Sequence, residues 1–110
     1  MLDKNLLAAY RLSIYSIAMI KTFSDKATES LHRGIRHRHF VNIEKPARRK
    51  LAYLDAAKTL DDLRVPPGNR LEALKGDRAG QYSIRINDQF RICFRWQDGD
   101  AYDAEICDYH

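Results

Sequence analysis

Two stretches near the carboxyl-terminal end alternate apolar and polar side chains, and this restricts the possible folds more than any other feature. In residues 82–86 and 90–96 the apolar side chains fall at every second position. The polar positions between them carry three arginines, Arg85, Arg91 and Arg95. Such a period is typical of strands with one buried face. The polar break at 87–89 therefore predicts an antiparallel hairpin with one apolar and one arginine-rich face.

The register of this hairpin follows from the requirement that both apolar sets share a face. A one-residue slip would turn every side chain of one strand to the other side of the sheet. A three-residue loop sets Ile84 opposite Ile92 and Arg85 opposite Arg91, whereas a slip of two would set Asn87 opposite Arg91. Directly opposed like charges are destabilising. The first register therefore requires a carboxylate or another anion beside the arginines.

Two interpretations of the arginine-rich face remain open. In the first, a third strand supplies neutralising carboxylates. Asp103 and Glu105 have the right parity, and a three-residue loop at 98–100 would put Asp103 opposite Arg95. In the second, the face binds phosphate, because guanidinium groups match phosphate oxygens well. The first interpretation accounts for Arg95 better than for the other two arginines.

Length and composition indicate one small globular domain. The chain has 110 residues, 45% hydrophobic and 31% charged, which suits a single core. A formal net charge of +4 favours a polyanionic partner, either nucleic acid or an acidic protein. Cys93 and Cys107 have no disulfide-framework spacing, so we expect reduced thiols in a cytoplasmic protein. No apolar run approaches the length of a membrane span, and we expect no membrane partner.

The amino-terminal half predicts helices ahead of the sheet. Residues 19–23 suit a short strand, and a helix capped at Ser24-Asp25 should end near Gly34. A second helix is expected to begin at Asn42, with an apolar stripe at helical spacing. The order of a strand, two helices and three antiparallel strands predicts an α+β fold. Its helices cover one sheet face and leave the other open.

Residues 1–18 do not fit this pattern. They are rich in Leu, Ala, Tyr and Ile, but Arg11 and two serines interrupt the apolar run, unlike a signal peptide. We interpret them as an amino-terminal extension, either a surface helix or the result of a start codon assigned too early. The functional domain is expected to span residues 19–110.

The segment 32–39 carries three histidines and three arginines, including Arg36 and Arg38. A solvated loop is the simplest interpretation, and contact with a nucleic-acid backbone is the functional alternative. His37 and His39 are two residues apart without a nearby Cys or acidic residue. We therefore predict no metal site here.

Several motifs together resemble the HigB branch of the RelE-type toxins over residues 19–110. They are MIKTF, PPGNRLEAL, LKGDRAGQYSIRINDQFRICF and the terminal DYH. The resemblance implies a RelE-like α+β domain, with two amino-terminal helices packed on one face of a mainly antiparallel sheet of three to four strands. It also implies a metal-independent, cofactor-free endoribonuclease that cleaves mRNA in the decoding site of the 70S ribosome. A HigA-like helix-turn-helix antitoxin would neutralise it, and operator DNA would be contacted only through that antitoxin.

The resemblance also implies candidate catalytic residues. Arg91 matches the arginine at the scissile phosphate, and the tail Asp108-Tyr109-His110 matches residues that supply acid–base chemistry and base contacts. Glu72 stands where some members have a histidine. The identity of the general base is therefore open, and either Glu72 or Asp108 could fill this role. His110 would act as general acid or as an electrostatic group, since imidazole titrates near neutral pH.

The position of the tail requires a break in the last strand. On parity, Asp108 and His110 would point with the core residues Ala104 and Ile106. A role beside Arg91 therefore assumes that the strand ends or bulges near Cys107.

The candidate RNA-binding residues are basic. Lys75 and Arg78 match a loop of the family that meets RNA, and Arg85 lies on the arginine-rich face. Arg36 and Arg38 are added from the basic segment 32–39.

Two other functions remain alternatives. One is a non-catalytic toxin of the same fold that inhibits a protein such as DNA gyrase. The other is a decayed toxin that retains only antitoxin binding. An arginine face with a terminal histidine favours cleavage, because an inhibitor of a protein target needs no acid–base groups.

Overall fold

The computed structural model describes residues 20–108. Its helices and strands are, in chain order, α1 (Lys26–His32), α2 (Glu44–Ala56), β1 (Glu72–Ala73), β2 (Gln81–Arg85), β3 (Phe90–Gln97) and β4 (Asp100–Asp108). Short 3-10 helices lie at Arg38–Ile43, Leu60–Arg64, Pro67–Asn69 and Gly76–Arg78. The predicted α+β fold is confirmed, with a four-stranded antiparallel sheet in the order β1-β2-β3-β4. The extension predicted at 1–18 lies outside the described residues.

Local side-chain chemistry sets the helix ends. The carboxylate of Asp25 caps α1 by accepting a hydrogen bond from the backbone N–H of Thr28 (3.2 Å). Gly34 follows α1 in the left-handed conformation, with φ of +91°, as its predicted role at the helix end requires. The second helix begins at Glu44, not at Asn42, because Asn42 belongs to the preceding 3-10 helix.

The hairpin has the predicted register. Ile84 lies opposite Ile92, and Arg85 lies opposite Arg91. The segment predicted as a first strand at 19–23 is less regular than expected. Among the described residues it makes only two isolated parallel bridges to β4, through Ile20 and Phe23.

Strand β4 contains one extra residue, which the sequence pattern did not predict. The turn into β4 has two residues, with Gln97 opposite Asp100, so the predicted three-residue loop at 98–100 is wrong. Arg95 pairs with Tyr102 while Cys93 pairs with Glu105, which leaves two residues of β4 opposite one of β3. Asp103 adopts a φ of +54° at this bulge. Beyond the bulge, the alternation of β4 side chains between the two sheet faces is shifted by one residue relative to the part of β4 before it.

The core lies between the helices and one sheet face. Apolar side chains from both helices and from β2, β3 and β4 are almost fully buried there, namely Leu31, Ala47, Leu51, Leu54, Ile84, Ile92, Phe94, Ala104 and Ile106. The buried hydroxyl of Thr28 accepts a hydrogen bond from the backbone N–H of Ile106 (3.0 Å), which fixes α1 against β4. The helices thus cover one side of the sheet, and the arginines lie on the other.

Candidate active-site face

The sheet surface turned away from the helices is termed the open face. Residues directly opposite each other on neighbouring strands point to the same side, so the register defines its members. They include Glu72, Ser83, Arg85, Arg91, Cys93, Arg95, Tyr102, Glu105 and Cys107. The predicted catalytic pair Arg91 and Glu72 therefore shares one surface.

Arg91 is a buried cation on this face, with only 7% of its surface exposed. Its Nε donates to Ser83 Oγ (2.7 Å), and its Nη2 donates to the backbone carbonyl of Arg70 (2.6 Å). The same Nη2 lies 3.6 Å from a carboxylate oxygen of Glu72. A buried charge needs such partners, because burial without them is unfavourable. The guanidinium is therefore held in one orientation beside Glu72.

The carbonyl that receives Arg91 belongs to the residue directly after Asn69, which is fully buried. Its Nδ2 donates to the backbone carbonyls of Leu63 (3.1 Å) and Val65 (3.3 Å), and its Oδ1 accepts from Lys50 Nζ (2.5 Å). Arg70 follows directly, in the left-handed conformation with φ of +46°. Sequence reasoning missed Asn69, because the motif PPGNRLEAL entered only as part of the family resemblance.

Carboxylates neutralise two further arginines. Arg95 Nε lies 3.3 Å from an oxygen of Asp103, so the interpretation that the third strand neutralises Arg95 is confirmed. Glu105 does not pair with a strand arginine, because its carboxylate binds Arg78 Nη2 at 2.8 Å. This hydrogen bond raises the pKa of Arg78, which stays a cation. The carboxylates of strand β4 thus pair with Arg95 and Arg78, and Arg85 and Arg91 have other partners.

Positive charge accumulates at the Arg85 end of the sheet. Arg85 forms an ion pair with Asp88, whose side chain is fully exposed. Burial lowers the pKa of Lys50, and the neighbouring charges of Arg49 and Arg85 lower it further. Exposed ion pairs contribute little to stability, so Asp88 can be displaced by another anion at small cost. This end of the sheet is suited to a polyanion.

A groove of about 520 Å³ lies beside Glu72 and is bounded by Leu74, Lys75 and Arg78. Arg78 also donates to Gln81 (2.9 Å), which fixes the loop against β2. The structure therefore brings together Glu72 and the two loop residues predicted to meet RNA.

Arg36 and Arg38 lie elsewhere. Arg36 Nε lies 3.2 Å from a carboxylate oxygen of Glu44 at the start of α2 and borders a separate groove. Arg38 is the exposed first residue of a 3-10 helix. The two grooves share no residue, so the structure does not bring Arg36 to the groove of Lys75 and Arg78.

Asp108 points away from Arg91. Strand β4 stays in register through Asp108, which lies opposite Phe90, and the bulge is at Asp103. No break therefore turns Asp108 toward Arg91, and the assumption of one near Cys107 is wrong for this residue. Phe90 packs against the core, so Asp108 is on the helix-facing side of the sheet, where Gln89 Nε2 donates to its carboxylate (3.0 Å). Tyr109 and His110 lie outside the described residues.

The described part of the chain offers neither a metal site nor a membrane span. Residues 20–108 contain no group of three or more His, Cys, Asp or Glu side chains arranged to hold a metal ion. Over the same range, no helix combines the length and apolarity needed to cross a bilayer.

The two cysteines are free thiols on the open face, Cys93 buried and Cys107 partly exposed. A hydrogen bond with Cys93, burial and the nearby Glu105 carboxylate all raise the pKa of Cys107.

Since the thiolate is the reactive form, we expect iodoacetamide to modify native Cys107 slowly at pH 8. Cys93→Ala removes the main cause and should speed the reaction, measured by mass spectrometry of the labelled peptide. Urea-unfolded protein is the control, and equal rates in all three samples would contradict the expectation.

One family model matches most of the chain. It describes a RelE-like toxin of the type II toxin–antitoxin system HigB and matches residues 16–110. The chain belongs to the HigB-like toxin family. Toxin HigB-1 of Vibrio cholerae is 44% identical over 90 residues, which are 80% of this chain and 95% of that protein. Endoribonuclease HigB of Proteus vulgaris is 46% identical over 41 residues, or 37% of this chain and 45% of that protein.

Solved toxin structures share the fold of this HigB-like toxin. The YoeB–YefM complex from Staphylococcus aureus contains a chain with a TM-score of 0.50 and 26% identity, covering 83% of this chain and 94% of that one. The YoeB dimer from the same organism also has a TM-score of 0.50 and 26% identity, with coverages of 84% and 97%. The predicted RelE-like fold and HigB resemblance are thus confirmed.

Proposed function

We propose that this HigB-like toxin is an endoribonuclease that cleaves mRNA in the decoding site of the 70S ribosome, in the cytoplasm. The observation that carries the proposal is the placement of a rigidly held Arg91 next to the Glu72 carboxylate on the open face. The relative from Proteus vulgaris, which is named an endoribonuclease, supports this activity.

Arg91 and Glu72 can supply two of the three elements of metal-free RNA cleavage. Arg91 would stabilise the charge that develops on the scissile phosphate, and a preorganised donor of this kind contributes roughly 3 kcal/mol. Glu72 would take the proton from the attacking 2′-hydroxyl. Glu72 is favoured over Asp108 as the base because Asp108 lies on the opposite side of the sheet from Arg91. Neither step requires a metal ion or another cofactor.

The carboxyl-terminal tail supplies the remaining element of the proposal. His110 would donate a proton to the leaving 5′-oxygen as the general acid, because an imidazole titrates near neutral pH. Tyr109 would stack on an unpaired base of the mRNA.

The basic residues would bind the RNA backbone. Lys75 and Arg78 border the groove beside Glu72, and Arg85 lies in the positive region at the end of the sheet. Arg36 lies on the other groove, and Arg38 lies on the adjoining 3-10 helix. These two residues would bind more distant RNA only if the substrate extends around the domain. Contacts of this kind would depend on salt concentration.

A HigA-like helix-turn-helix antitoxin would neutralise the toxin and carry its contact with operator DNA. The solved complex of the related toxin YoeB with YefM supports an antitoxin partner. The functional domain would span residues 19–110.

The proposal is tested by mapping mRNA 5′ ends in cells that express the full chain under tight control. We expect new ends within translated codons, and their loss when Tyr109 and His110 are deleted. His110→Gln should remove the general acid and slow cleavage by about 100-fold, whereas Tyr109→Phe keeps the stacking ring and should cleave normally. Growth arrest with intact mRNA would instead favour a protein target such as DNA gyrase. No arrest and no cuts would favour a decayed toxin.

A further inference from the structure

A second groove lies on the helical side of the domain, and no step of the proposed cleavage requires it. It has a volume of about 570 Å³ and lies between residues 36–42 and the first turn of α2. It is termed the basic groove, because Arg36, Lys45 and Arg48 line it with a single carboxylate, that of Glu44.

The charges of the basic groove are incompletely balanced. The Glu44 carboxylate forms ion pairs with two guanidinium groups at once. One of its oxygens lies 3.2 Å from Arg36 Nε, and the other lies 2.7 Å from Arg48 Nη1. Lys45 adds a third positive charge on the exposed rim. Three cations around one carboxylate attract a ligand that carries negative charge.

Arg48 provides an independent observation. Its Nε donates to the backbone carbonyl of Leu31 (3.0 Å), and its Nη1 binds Glu44. Its Nη2 is shielded from solvent and has no hydrogen-bond acceptor among residues 20–108. A shielded donor without an acceptor is destabilising, so a small rearrangement that turns this Arg48 nitrogen toward an acceptor on a ligand would be favourable.

The groove also has an apolar rim. Val41 lines it and is 45% exposed, and Ile35, immediately before Arg36, is 59% exposed. A nucleic-acid backbone makes no use of exposed aliphatic side chains. A protein segment with acidic and apolar side chains would satisfy both the cations and the apolar rim.

We propose that the basic groove docks an acidic, amphipathic segment of the antitoxin. A carboxylate of that segment would bind the Arg36, Lys45 and Arg48 group, and its apolar side chains would cover Ile35 and Val41. This inference rests on the proposed antitoxin partner and goes beyond it by assigning the surface that is bound.

The test measures the affinity between the 110-residue chain and the proposed HigA-like antitoxin by titration calorimetry. Lys45→Glu and Val41→Asp change exposed side chains on the rim and should each weaken binding by about tenfold or more. The matched controls are Lys58→Glu, an equal charge reversal on an exposed residue outside the groove, and Val41→Leu, which keeps the apolar contact. Neither control should change the affinity by more than about twofold. The effect of Lys45→Glu should shrink at high salt.

Thermal unfolding and mRNA cleavage without antitoxin should be the same in all four variants, which separates docking from folding. Binding that survives both Lys45→Glu and Val41→Asp would overturn the docking inference alone. Equal weakening by Lys58→Glu would also overturn it, because net charge would then explain the loss. If the wild-type chain does not bind the antitoxin, this result would contradict the proposed partner. The docking inference, which rests on that partner, would then fail as well. Impaired ribosome binding with unchanged antitoxin affinity would indicate that the groove binds RNA, and this result would overturn the docking inference.

Discussion

Arg91→Ala is expected to lower the rate of mRNA cleavage by about 100- to 1000-fold, the usual loss when one preorganised donor to a developing anion is removed. The guanidinium is fixed by Ser83 and by the carbonyl of Arg70, so it needs no reorientation when the phosphate charge develops. Arg91→Lys should be nearly as inactive, because an ammonium group is a point charge and cannot make both of these contacts while facing the substrate. The measurement is the yield of mapped mRNA 5′ ends per unit time at equal toxin level.

Arg95→Ala is the matched control for this prediction. Arg95 lies on the same strand and face, but it is half exposed and paired with Asp103, away from Glu72. Cleavage should therefore stay within about threefold of wild type. Since Arg91 is buried, the unfolding temperature of each variant must be measured with the rate. A folded Arg91→Lys protein with full activity, or an Arg95→Ala protein as inactive as Arg91→Ala, would contradict the role of Arg91.

Asn69→Ala is expected to reduce the free energy of unfolding by about 2–3 kcal/mol, because it deprives the half-buried Lys50 and the backbone carbonyls of Leu63, which is buried, and Val65 of their partner. For a domain of this size the unfolding temperature should fall by roughly 10 °C. Cleavage measured below that temperature should also fall, since the Arg70 carbonyl would no longer be held against Arg91. Calorimetric unfolding and the cleavage assay check the two parts separately.

Asn42→Ala is the control, because Asn42 is an exposed asparagine in a 3-10 helix. Its effect on the free energy of unfolding should be within about 0.5 kcal/mol. An unchanged unfolding temperature in Asn69→Ala would show that the buried amide is not an important support.

Short-range patterns predicted the frame of the domain. The alternation around Ile84 and Ile92 predicted the hairpin and its register, because a slip would expose a whole apolar face. The helix cap predicted at Ser24-Asp25 formed through the Asp25 carboxylate, since its hydrogen bond to the Thr28 N–H closes within one turn. The resemblance to HigB toxins placed Arg91 and Glu72 in one site, and the structure puts them on one face.

Long-range contacts decided the rest. The bulge at Asp103 depends on how β4 fits β3 and residues 20–24, and the sequence pattern did not predict it. The side of the sheet taken by Asp108, by contrast, is the one that parity predicted. The burial of Arg91 depends on a backbone carbonyl that lies 21 residues earlier in the chain. Periodicity and motif spacing describe neighbours along the chain, so they determined the strands, helix caps and faces of this protein. Which partner each buried polar group finds is set by chain segments that meet only after folding, and only the tertiary structure decided it.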